Sequence, residues 1–125
     1  MVRQDKFTPY PKEMLPSGFK YPKSYLDLSQ STNTINYDEK YFFPWWFEDY
    51  GTEGAEIAYR YRKFNSSISN NAIPFANYGE WEAYFDGEDI SGNPKVIVVN
   101  LENTENYEVF TDFDTWLKEA ENDGW

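Results

Sequence analysis

Any chemistry this chain performs has to be done by carboxylates. The sequence holds no histidine and no cysteine, which removes the imidazole base, the thiol nucleophile and the usual zinc ligands. The densest acid set is Glu80, Glu82, Asp86, Glu88 and Asp89, spread along EWEAYFDGEDISGNPKVIVVNL. Two site chemistries suit such a set: a hard cation on oxygen ligands, or an acid/base pair of the glycosidase type. An EF-hand loop counted from Asp86 has Glu88 as its second ligand but Ile90 as its third, so the ligand series breaks. A glycosidase pair needs two carboxyls roughly 5–10 Å apart across a cleft, a separation set by the fold rather than by spacing. Gly87 and Gly92 are expected to supply positive φ, and Pro94 to stop strand pairing. The stretch is therefore read as a connection between two strands, with no metal, no cofactor and no catalytic residue.

Strands have to stand on either side of that connection. EWEAYFD (80–86) alternates, with Trp81, Ala83 and Phe85 on one face and Glu80, Glu82, Tyr84 and Asp86 on the other. KVIVVNL (95–101) is apolar on both faces and β-branched, which predicts a central strand. NYEVF (106–110) should pair with it as an antiparallel hairpin. AIPFA (72–76) predicts a short edge strand broken at Pro74, and YFFPWWF (41–47) an edge strand or extended segment in which only one of Trp45 and Trp46 can face inward. AEIAYRYR (55–62) also alternates and is predicted as a half-buried strand. Its Arg60-Tyr61-Arg62-Lys63 end is the one basic cluster in the acidic half, read as a solvated strand face. NSSISNN (65–71) is a polar loop.

Helices complete the inventory. PKSYLDLSQ (22–30) opens on a proline and predicts a short helix burying Tyr25, Leu26, Leu28 and Ser29. Across 111–122, Phe113, Trp116, Leu117 and Ala120 fall at i, i+3, i+4 and i+7, a single helical stripe. Thr111 is the expected N-cap, Asp112 and Asp114 occupy the first turn where the helix dipole favours negative charge, and Gly124 ends the helix. Residues 1–20 carry Pro9, Pro11, Pro16 and Gly18 and predict an irregular arm wrapped on the domain. The class is α+β: one domain over 1–125, a mainly antiparallel sheet with flanking helices and a C-terminal helix.

Composition narrows the partner. Of the 125 residues 21% are aromatic, enough for a packed core. The acids outnumber the bases 22 to 11, a net charge of −11. Nearly all the excess lies beyond residue 47, where 17 acids face 5 bases. Such a balance disfavours direct nucleic-acid binding and anionic membranes, and favours a cationic partner steered by the field. With no signal-like or membrane-spanning apolar run and no disulfide framework, the expected compartment is the cytoplasm.

Four stretches together resemble the SUKH superfamily, the cell-wall-regulator-like immunity proteins. They are Ile73-Pro74-Phe75-Ala76, Tyr84-Phe85-Asp86, Pro94-Lys95-Val96, and Thr111-Asp112-Phe113-Asp114-Thr115-Trp116-Leu117. Tyr21-Pro22 and Tyr25-Leu26 are similar to the anchors of that family's first helix. The family's Gly-Gly segment after this helix is missing, and its acidic-Gly-Gly-Gly run is reduced to Asn77-Tyr78-Gly79-Glu80. The resemblance implies a non-enzymatic immunity protein that binds and neutralises a cognate toxin of a bacterial polymorphic-toxin or contact-dependent system, often a nuclease. An acidic face suits such a target, since a nuclease presents a cationic groove. The expected contacts are Glu80, Glu82, Asp86, Glu88 and Asp89, with Trp45, Trp46 and Tyr84 as aromatic anchors. Two other classes compete: an aromatic-rich module for a small ligand or glycan, and a carboxylate hydrolase, which would need one acid of raised pKa.

Overall fold

The structure, a computed structural model, describes residues 7–30, 45–61 and 71–121. Among these, five strands form one antiparallel sheet in the order β1-β2-β3-β4-β5: Trp46–Phe47, Ile73–Tyr78, Trp81–Phe85, Val96–Asn100 and Tyr107–Phe110. Three α-helices accompany it, α1 (Lys23–Gln30), α2 (Glu53–Tyr61) and α3 (Phe113–Glu121), plus a single 3-10 turn at Lys12–Met14. The α+β class is as expected. So are the 96–100/107–110 hairpin and the α3 stripe, whose Phe113, Trp116 and Ala120 are buried; β4, expected to be central, is an interior strand one place from the edge.

Directly paired residues in a sheet point to the same side, so the register sorts the two faces. Phe47, Ala76, Ala83 and Val98 share one face, joined by Trp81, Phe85 and Val96. Against it pack Tyr25 and Leu28 of α1, Phe113, Trp116 and Ala120 of α3, and Phe7, Tyr10 and Phe19 of the arm. Rings dominate this core. Phe75 stacks on Phe85 with centroids 4.2 Å apart, and Trp116 meets Trp45 edge-on at 5.2 Å. The arm is pinned as well as packed: Phe7 N–H donates to the Ser29 carbonyl at 3.2 Å, and Tyr50 N–H to that of Thr8 at 2.7 Å.

Several sequence expectations fail for identifiable reasons. Residues 53–61 form a helix, not a strand. Thr52 Oγ1 caps the Ala55 amide at 3.3 Å, Glu53 and Glu56 sit in the first turn, and Arg60 pairs with Glu56 at 2.7 Å across one turn. Ala55 and Tyr59 face the arm, where the Tyr10 hydroxyl donates to the Ala55 carbonyl and the Tyr59 hydroxyl to that of Met14. β2 is an interior strand rather than an edge. Its register shifts between Pro74 and Ala76, and β1 pairs only with Ala76 and Asn77, so Pro74 needs no donor on that side. Leu26 is exposed rather than buried. The cap of α3 is Asp112, whose Oδ1 accepts from the Thr115 amide at 2.9 Å and hydroxyl at 2.7 Å, and not Thr111. Gly92 takes positive φ as expected, but Gly87 does not. A methyl there would run into the Asn71 carbonyl and the Pro16 ring, so close approach is its reason for being glycine. The expectations for Arg62, Lys63, residues 65–70 and Gly124 lie outside the described residues.

Candidate functional site

The acidic loop is a turn built from its own side chains. Asp86 Oδ1 accepts from the Glu88 amide at 3.0 Å, while Asp89 takes the Ser91 amide on Oδ1 at 3.1 Å and the Lys95 amide on Oδ2 at 3.2 Å. The Ser91 side chain and these amides hold the Asp89 carboxyl below its ordinary range. Such Asx turns are what Asp does at a chain reversal. Among the described residues no group of three or more His, Cys, Asp or Glu is placed to hold a metal ion.

The eight expected contact residues do not form one patch. Glu80 lies in the β2–β3 turn, Asp86, Glu88 and Asp89 in the β3–β4 loop, and the five residues of β3 (roughly 17 Å of strand) separate the two ends. Between them Glu82 and Tyr84 are buried, at 4% and 3% exposure. Trp45 is in the aromatic core, whereas Trp46, on the opposite face, is 46% exposed. The anionic field is thus divided between the ends of the sheet, and one of its assumed members points inward.

What sequence reasoning missed is Glu48. The sheet face away from the aromatic core carries a cross-strand row, Trp46, Asn77, Glu82, Val99 and Tyr107 in register across all five strands. Glu48, just past β1, joins this row from the side: it is 6% exposed, its amide donates to the Phe75 carbonyl at 2.8 Å, and its Oε2 accepts from Asn77 Nδ2 at 3.1 Å. Glu82 hydrogen-bonds Glu48 and has its pKa raised well above the ordinary carboxyl range, first by burial and then by the Glu48 charge. Burial beside the Glu48 charge therefore favours the protonated form of Glu82. Glu82 Oε2 is buried with no hydrogen-bond partner among the described residues.

This pair lies in a cavity of about 340 Å³. Gly54, Ile57 and Ala58 of α2 form one wall, the sheet residues Asn77, Glu82 and Tyr84 the other, and Leu101 closes the β4–β5 end. A raised carboxyl in a cleft is one requirement of acid catalysis. What the geometry can do is hold a proton or exchange it for a cation. The signal for it was slight: an acid at an interior position of a strand whose neighbours are apolar. No family model, no curated protein and no solved structure matches the chain. No helix among the described residues is long and apolar enough to cross a membrane.

Proposed function

We propose that the chain is a binding protein that docks a basic protein partner on the second sheet face. The SUKH resemblance supplies the specific form of this reading: an immunity protein that neutralises a cognate toxin. The observation that carries it is a set of large apolar side chains left exposed on this face and at its border, with exposed acids near them. Trp46, Tyr107 and Val109 on the sheet, with Ile57 and Leu101 at its border, are large apolar side chains exposed by 42–56%. Exposed tryptophan and tyrosine are the residues in which interface energy concentrates, and here they stand at the two edges of the sheet. Glu53 and Glu102, sequence neighbours of the border residues Gly54 and Leu101, and Glu80, whose carbonyl accepts from the Leu101 amide at 2.7 Å, are all exposed. Those acids, on a chain of net charge −11, favour a cationic partner.

Of the expected contacts, Trp46 and Glu80 keep their role on this face. Asp86, Glu88 and Asp89 sit at the other end of β3, where the Asp86 and Asp89 carboxylates hold the turn. The cavity supports a second reading, a module for a small ligand, which a tryptophan-fluorescence titration against a glycan panel separates by its saturation. The decisive experiment is co-expression with whatever toxin-like domain the neighbouring gene is found to encode. Restored growth, with co-elution on a sizing column and association that slows as salt rises, is the expected result. Undiminished toxicity with no complex overturns the proposal.

A further inference from the structure

The Glu48–Glu82 pair has no evident task in holding the fold together. It lies on the face away from the aromatic core, and burying ionisable groups there costs stability that apolar side chains would not. Yet Asn77 holds Glu48 in place, and Glu82, 4% exposed and lining the cavity, keeps Oε2 without a partner among the described residues. An unsatisfied buried acceptor calls for a donor. The walls say which kind, because Ile57, Ala58 and Leu101 are hydrocarbon and, among the described residues, two carboxyls are the charge in the lining. A metal ion would find too few oxygen ligands.

We propose that the cavity between α2 and the second sheet face receives a cationic side chain of the docking partner, an arginine guanidinium or lysine ammonium. Its aliphatic stem lies along Ile57, Ala58 and Leu101, and its head meets Glu48 and Glu82. Long basic side chains pair an apolar stem with a charged tip in just this way. The inference rests on the docking reading for the source of the cation, but not for the chemistry of the pocket. Empty, Glu82 keeps its proton; beside a bound cation it ionises, so the cation displaces that proton. Among the described residues Glu48, Glu82 and Tyr84 are the titratable groups in the lining, those of α2 and of the β4–β5 turn lie outside it, and Tyr25 of α1 also feels the Glu48 charge.

The test titrates the full chain with n-butylguanidinium and n-butylammonium, with n-butylurea as the neutral isostere. Calorimetry in two buffers of different ionisation enthalpy counts protons. The cations are expected to saturate and the urea not to, with up to one proton released per cation and affinity that rises with pH. Glu82→Gln should weaken cation binding about tenfold or more and abolish the release. Gln keeps a neutral, hydrogen-bonding group beside Glu48; should that variant misfold, the wild-type contrast between cation and urea still decides. Equal response to the urea, no saturation by either cation, or wild-type behaviour in Glu82→Gln overturns the inference. Probes that bind when no basic protein does leave the pocket standing and remove the docking reading. A partner that binds Glu82→Gln at full strength while the probes fail does the reverse.

Discussion

Replacing Glu82 by Gln should make the protein more stable, and by an amount that grows with pH. In the unfolded chain Glu82 ionises near 4.5, whereas in the folded protein burial and the adjacent Glu48 keep it protonated to well above that value. Above the unfolded pKa the native state therefore holds one more proton than the unfolded state. Stability from this group is fully present below that pKa and is lost as pH rises toward the folded value. The slope for one proton is about 1.4 kcal/mol per pH unit. Gln cannot ionise in either state, retains the hydrogen bond to Glu48 and fills the same volume. Subtracting wild type from variant also removes the background titration of the other acids, which both proteins share. Urea denaturation across a pH series provides the measurement, with the slope m expected to be unchanged. The stability gap should open above about pH 4.5, widen by about 1.4 kcal/mol per unit, and level off at the folded pKa, which the plateau then reads directly. A gap that stays within about 0.5 kcal/mol at every pH, or one that favours wild type as pH rises, refutes the buried carboxyl pair.

Trp116→Ala should cost about 3–5 kcal/mol in the same denaturation assay, because its ring is fully buried against Trp45 and Phe75; under about 1 kcal/mol would mean the α3 face is misassigned. Asp112→Ala should lose about 0.5–2 kcal/mol of helix-cap stability. The Asp112 carboxyl is held below its ordinary range, chiefly by the Thr115 hydroxyl, so its contribution should fade as pH falls through that lowered value. The two glycines at 54 and 87 should respond oppositely to alanine. Gly54→Ala in α2 meets open space and should stabilise by about 0.4–1 kcal/mol, whereas Gly87→Ala meets the Asn71 carbonyl and should destabilise by about 1–3 kcal/mol. A shared sign in their thermal shifts would contradict the close approach.

The β2–β5 region was legible because each of its strands carries its own pattern: alternation in 81–85, β-branched residues in 96–100, turn formers between them. The α3 stripe was equally local. α2 was misread because its apolar residues happen to fall two apart in sequence, although Ala55 and Tyr59 face the arm and Ile57 is exposed. The helical signs were present in Thr52, Glu53, Glu56 and Arg60, the cap, the dipole partners and the one-turn ion pair. The carboxyl pair was out of reach for a different reason. Glu48 and Glu82 meet only because β1 and β3 flank the same interior strand, and strand order is a non-local fact. The acid-rich loop drew attention by density, yet the Asp86 and Asp89 carboxylates are taken up by its own backbone; the two acids of interest are isolated in sequence and joined in space.

Every strand of the sheet pairs with the next one along the chain, and this has a kinetic side. From β2 to β5 each pairing closes over a short connection, so chain entropy lost at each step is recovered almost at once. The exception is β1, which must reach β2 across the segment that contains α2, and with it comes Glu48. Half of the acidic pocket thus belongs to the part of the molecule that is costliest to bring in. A nascent chain with β2–β5 zipped but β1 still undocked would hold Glu82 beside open water, where it ionises like any other glutamate.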